Sequence, residues 1–146
     1  MYGQASPFAP RNYRPSNMYS RVGLETEVHG ASAHRLIGML FDGLFDAMAQ
    51  AQGALASGNR ELKARALSRA VRIIDEGLKA SLNKEHGGEL AVQLTELYSY
   101  CCLRLTQANL RDDVSLLLEV RGLLLPVREA WGAIAPQVDN APAAAA

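Results

Sequence analysis

The residues of this chain that could do chemistry are three histidines, two adjacent cysteines and a handful of carboxylates, and their spacing decides what chemistry is open to them. His29 and His34 are five apart, whereas two ligands on one helix face need a separation of four, and no Cys or carboxylate pair completes a metal site around them. His86 follows Glu85 in a turn. Asp42 and Asp46 do share a helix face, but a di-iron bundle needs Glu-x-x-His motifs on facing helices, and the chain has none. Cys101 and Cys102 are neighbours whose side chains leave a helix about 100° apart, which suits two reduced thiols and not a disulfide. No phosphate loop, nucleophile elbow or CxxC is present, and Gly87 and Gly88 read as turn residues. The chain is therefore expected to be no enzyme, with no metal and no cofactor. A small redox bundle would require Cys101 or Cys102 to be unusually reactive.

Composition narrows the remaining classes. At 146 residues the chain has the size of one domain, and 49% hydrophobic with 21% charged residues is ordinary for a soluble globular protein. Fifteen Lys and Arg balance fifteen Asp and Glu. Nucleic acid is not expected as the main partner, because binding dominated by phosphates needs a surplus of cations. The opening MYGQASPFAPRNYRPSN contains no apolar core of a signal peptide, and no stretch is long enough for a membrane anchor, so a cytosolic location is expected.

The elements that would position these residues are helical. Residues 1–16, rich in Gly, Pro, Ser and Asn, read as a flexible arm, 17–135 as a helical domain and 136–146 as a disordered tail. Met18, Val22 and Val28 outline a short, weakly amphipathic N-terminal helical segment. Ser32 is a candidate N-cap. Ile37, Phe41, Leu44, Met48, Ala51 and Leu55 then repeat at alternating steps of four and three, widened by Leu36, Leu40 and Phe45, until Ser57, Gly58 and Asn59 end the helix. Asn59 can cap a second helix with a stripe of Leu67, Val71, Ile74 and Leu78. Its basic residues Arg60, Lys63, Arg65, Arg69 and Arg72 read as a solvated face. Asp112 or Asp113 can cap a last helix with Leu117, Val120, Leu124, Val127, Trp131 and Ile134 inward. Pro126 inside it predicts a kink or restart. Four such segments joined by short polar turns predict an all-α, antiparallel up-down four-helix bundle preceded by a short N-terminal helical segment.

The third helix, Gly87 to Asn109, carries more apolar surface than one core needs. Leu90, Leu94, Leu97, Cys101 and Ala108 make one face, and Tyr98, Tyr100, Cys102, Leu103 and Leu105 add bulk beside it. A helix wanted on two sides is either central in a core or lent to a partner. Leu94, Tyr98, Cys101 and Leu105 are the candidate binding residues there.

Five stretches in this order, YSRVGLETEV, ASAHRLIGMLFDG, KARALSRAVRIIDEGLKASLN, GGELAVQLTELYSYCCLRLTQAN and DDVSLLLEVRGLLLPVREAW, resemble the flagellin export chaperones of the flagellar type III secretion system. Each is loose alone; together, in this spacing, they are specific. The resemblance implies a cytosolic helical bundle that grips the disordered C-terminal segment of flagellin one-to-one, as a monomer. Premature polymerisation is thereby blocked and the subunit stays competent for export. It also implies that Tyr19 lies near the flagellin groove, and Val22, on the same short segment, is a further candidate binding residue. A second partner at the export gate stays open, and the alternative is a general helical adaptor or regulator that binds another secretion-related protein. Ala33 where the family has Pro, Phe41 where it has Tyr, and Ser99 where it often has Asp are departures from its pattern.

If Tyr19 belongs to the groove, Tyr19→Ala should weaken flagellin binding by about 1–2 kcal/mol while the melting temperature barely moves. A fall in melting temperature at unchanged affinity would make Tyr19 a structural staple instead. Isothermal calorimetry and a thermal melt on the same sample separate the two.

Overall fold

The computed structural model describes residues 32–134. Tyr19, Val22, the N-terminal helical segment, the arm, the tail and the boundaries at 16/17 and 135/136 lie outside the described residues. Of the two units into which the chain divides, the first is compact over residues 38–132. The site lies in the first.

Four helices account for the described residues, and no strand occurs among them. Helix α1 is Ser32–Ser57. Helix α2, Arg60–Arg72, runs on into a π-helical stretch, Ile73–Lys79. Helix α3 is Lys84–Arg111 and helix α4 is Val114–Ala133. Side-chain contacts order them in a ring. Leu40 of α1 lies against Gly77 of the π-helical stretch, and Arg69 of α2 reaches Gly43 of α1. Cys102 of α3 donates to the Val71 carbonyl on α2. Arg104 of α3 pairs with Glu119 of α4, and Arg128 of α4 pairs with Asp42 of α1. Moving forward along α1 from Leu40 to Gly43 moves the contact back from Gly77 to Arg69 of α2. Moving forward along α2 from Lys63 to Val71 moves it back along α3 from Asn109 to Cys102, so these neighbours are antiparallel, as the stripe pattern predicts.

The inward stripes fill one core. Phe41, Leu44, Met48, Leu67, Ile74, Leu78, Cys101, Leu105, Leu117, Val120 and Leu124 are its fully buried larger members. Alanines 47, 51, 54, 66, 70, 91 and 108 are buried between them, and their small size lets helix axes approach. Leu55, Val71, Val127 and Trp131 are only half-buried. In the π-helical stretch both Ile73–Ile74 and Gly77–Leu78 face inward, because the wider turn brings two neighbouring positions onto one face. The even three-and-four spacing of the sequence gives no hint of that turn. A Cβ on Gly77 would stand 3.0 Å from Leu40 Cδ1, so the glycine makes room for the leucine tip.

The turns at one end of the bundle are closed by backbone chemistry. Gly58 (φ 74°) follows α1 in the left-handed region, and the Asn59 N–H donates to the Ala54 carbonyl at 2.9 Å. The Asn59 side chain then accepts from the Leu62 N–H at 3.1 Å, capping α2 as expected. Asp112 (φ 52°) plays the glycine's part after α3, with the Asp113 N–H donating to the Ala108 carbonyl at 3.1 Å. Asp113 is the residue that caps α4, accepting from the Ser115 N–H at 2.9 Å and from its hydroxyl at 2.6 Å. At the other end Gly88 (φ 58°, ψ −136°) breaks the helical path inside α3, so the long continuous helix starts after the glycine pair.

Three expectations are corrected. Lys63 is not on the solvated face: it is 6% exposed. Its Nζ donates to the Asn109 carbonyl at 2.9 Å and to Asp112 Oδ1 at 2.5 Å, tying the start of α2 to the end of α3. Pro126 neither ends nor restarts α4, which continues to Ala133. Pro126 and Gly122 are both exposed, so the carbonyl that loses its helical donor is open to water. Leu90, assigned to the buried face, is 64% exposed, and Ala91 takes the inward place.

Lys63→Met should cost about 1–3 kcal/mol in urea unfolding, because the Asn109 carbonyl loses its buried donor. The Lys63 hydrogen bond, ahead of the Lys63 and Arg60 charges, holds the Asp112 carboxyl below its usual range. A depressed carboxylate adds stability that is fully present above the ordinary value near ~4 and is lost as pH falls through the lower folded value. The acid-induced loss of stability below about pH 4 should therefore be shallower in the variant than in the parent.

Candidate partner-binding surface

Helix α3 presents different residues to the core and to solvent than hydrophobicity alone suggests. Its inward stripe is Ala91, Tyr98, Cys101, Leu105 and Ala108, with Leu94 half-buried at the edge. Tyr98 is 3% exposed, and Cys101 and Leu105 are fully covered. These three candidate residues are thus turned into the bundle and support the surface from beneath. At the helix start a Cβ on Gly87 would stand 2.7 Å from the Ala91 Cβ, so glycine is required at position 87. Leu90 and Leu94, more hydrophobic than Ala91, draw a sequence-based stripe one position off.

The surplus apolar surface lies elsewhere on the same helix. Val92, Leu103 and Leu110 are exposed, the last two at 54% and 78%. Separations of eleven and seven residues return to nearly the same helix direction, so the three form one outer stripe. Leu90 and Tyr100 are exposed on α3 as well, and Val114, Leu118 and Leu123 on α4. The outer stripe is legible in the sequence only as excess apolar bulk; nothing in the spacing says which half faces out.

A polar clamp holds the α3–α4 seam beside it. Tyr100 Oη donates to Glu119 Oε2 at 2.6 Å, and Arg104 Nε to Glu119 Oε1 at 2.8 Å. The Arg104 guanidinium lies 5.7 Å from the Tyr100 ring centre and also donates to Gln107. Hydrogen bonds from Tyr100 first and Arg104 second hold the Glu119 carboxyl below its usual range. The same Glu119 bond raises the Tyr100 phenol. One carboxylate thereby fixes the aromatic ring nearest the outer stripe.

The thiols are not poised for reaction. Burial first, then the neighbouring Cys102 and Glu119 charges, pushes the Cys101 thiol up to about 12. Burial pushes Cys102 up to about 11, with the Asp75 charge adding to it and Lys79 opposing. Burial likewise raises the Tyr98 phenol to about 12. Among the described residues no group of three or more His, Cys, Asp and Glu is placed to hold a metal ion. None of the described helices is long and apolar enough to cross a membrane. What the described residues offer a ligand is apolar contact beside a charged clamp.

A family model for the flagellar protein FliS matches residues 15–138. The chain is similar to the flagellar secretion chaperone FliS of Salmonella typhimurium, 50% identical over 119 residues, which are 82% of this chain and 88% of that protein. It is similar to the FliS of Escherichia coli, 42% identical over 113 residues covering 77% and 83% of the two chains. The FliS of Bacillus subtilis is 33% identical over 107 residues, 73% of this chain and 78% of its own.

A thiolate is what reacts with Ellman's reagent, so thiols held protonated should be slow. In native buffer at pH 8, both cysteines should react at least about tenfold more slowly than free cysteine, and at once in denaturant. Fast native reaction of either thiol would revive the redox reading.

Proposed function

The chain belongs to the FliS family of flagellar proteins, and on that premise we propose that it is a cytosolic, non-enzymatic flagellar secretion chaperone whose client is flagellin. It holds the disordered C-terminal segment of one flagellin, prevents premature polymerisation and keeps the subunit competent for export. The observation that carries this reading is the outer stripe Val92, Leu103 and Leu110 on α3, a row of apolar side chains left in water on a helix whose other face is already buried. A disordered client must recover the cost of its own ordering, and apolar side chains presented in a row by a rigid helix supply that recovery. Tyr100 adds a ring with a hydroxyl, a type favoured where a surface exchanges water for a partner. Leu94, at the edge of the core, and Tyr19 and Val22 of the N-terminal segment complete the proposed site. Tyr98, Cys101 and Leu105 enter it as the buried support that fixes the angle of α3.

Titration with a peptide of roughly the last 40 residues of flagellin should show one-to-one binding, a negative heat-capacity change and gained helicity, as coupled folding requires. Leu103→Ser with Leu110→Ser should weaken that binding by about 2 kcal/mol or more at an unchanged melting temperature, since both side chains lie outside the core. Folded protein that gives neither heat nor helicity with the peptide would refute the proposal. A pull-down that returns another secretion protein without flagellin would favour the adaptor reading.

A further inference from the structure

Helix α2 carries a feature that neither the core nor the outer stripe of α3 uses. A groove of about 560 Å³ between α1 and α2 is lined by Gln50 on the one side and by Leu62, Arg65, Ser68, Arg69 and Arg72 on the other. Arg65, Arg69 and Arg72 are separated by four and three residues and so share one face, over about 10 Å of helix. Arg65 is shared with Glu61 at 3.5 Å. Arg69 and Arg72 take part in none of the ion pairs formed among the described residues. The Arg69 guanidinium is laid toward α1: its Nη2 would be in ordinary contact, at 3.5 Å, with a Cβ on Gly43.

We propose that this groove is a second docking site, for an acidic helical segment of a protein partner. Guanidinium forks fit carboxylates in bidentate pairs, and a set at i, i+4 and i+7 matches carboxylates at the same spacing on a helix laid alongside. The residues that line the groove include three guanidiniums and no carboxylate. Of the carboxylates nearest in sequence, Glu61 is engaged by Arg65 and Asp75 by Lys79, while Asp46 and Glu76 lie one helical turn from Gln50 and Arg72. The lining is thus cationic in a chain of zero net charge. Leu62, half-buried, and the small Ala64 and Ala66 give it an apolar floor, which fits the side of a helix better than a sugar-phosphate backbone. Long-range attraction would speed encounter, and the pairs would fix register.

The test uses the full-length, isotopically labelled protein and an acetylated helical peptide of about 20 residues with glutamates at i, i+4 and i+7, against a control with glutamine at those positions. Amide shifts should change at residues 43–50 and 62–72. Affinity should fall about tenfold between 50 and 300 mM NaCl. Arg69→Gln with Arg72→Gln should weaken binding about fivefold or more, keep the melting temperature, and leave the affinity for the flagellin peptide unchanged. Equal binding of the glutamine control, or shift changes centred elsewhere, overturns the proposal. So does a single-stranded oligonucleotide that binds the same residues more tightly at the same salt. Loss of flagellin-peptide affinity in the double variant would overturn the groove as a separate site without touching the assignment of the client surface to α3.

Discussion

The inward stripe of α3 is the constraint from which the rest of the bundle is built. Ala91, Tyr98, Cys101, Leu105 and Ala108 alternate small and large side chains, and the small ones set how close the neighbouring helices come. Burial of these five side chains together sets the rotation of the whole helix. A rotation by one position would carry Leu90 inward and push Ala91 and Tyr98 toward water. Such a slip exchanges a fitted core for overpacking, and interiors resist both voids and excess methylenes by several kcal/mol. The same rotation decides that Val92, Leu103 and Leu110 point outward. The exposed surface is thus a consequence of the buried one.

The two ends of the bundle are secured differently. At the Gly58 and Asp112 turns, left-handed residues, side-chain caps and the Lys63 bridge satisfy the helix-terminal groups that water would otherwise have to reach. At the other end the π-helical stretch and the Gly88 break interrupt regular geometry in α2 and α3, and Leu94, Leu97, Val127 and Trp131 are only half-buried. Regular helical geometry is kept up to the turns at the first end and is interrupted at the second. Half-buried apolar residues with room to repack are cheaper to rearrange than fully buried ones, since less contact is lost on moving.

The helix count, the antiparallel order, the Asn59 cap, the Ser57–Asn59 stop and the reduced thiols were all legible in the sequence. Each depends on a local signal: a heptad stripe, a capping side chain, a turn residue. What was not legible depends on contacts distant in the chain. Lys63 reads as one more cation of a basic helix, and only the arrival of Asn109 and Asp112 from α3 makes it a buried residue. Leu90 outranks Ala91 on any hydrophobicity scale, yet the face shared with Tyr98, Cys101, Leu105 and Ala108 turns Ala91 inward and leaves Leu90 in water. The π-helical turn leaves no mark because its neighbours Ile73–Ile74 and Gly77–Leu78 also read as a slightly widened α stripe. Pro126 misleads in the opposite direction, since a solvent-facing carbonyl needs no helical donor.

In the proposed function stability and recognition fall to different residues of the same helix, and this has a physical basis. If the side chains that hold the bundle also held the client, each release would require the core to open, at a cost comparable with the whole stability of a small domain. Placing Tyr98, Cys101 and Leu105 inside and Leu103 and Leu110 outside avoids that coupling. The arrangement leaves apolar side chains in water, where they invite association with the wrong partner. The Tyr100–Glu119–Arg104 clamp limits this by placing a carboxylate and a guanidinium beside the stripe, both satisfied by each other. An apolar segment that docks must run past these charges, so a sequence able to place polar groups opposite them is favoured over one that is uniformly greasy. On the proposed surface selectivity would come from the charged edge, and affinity from the stripe.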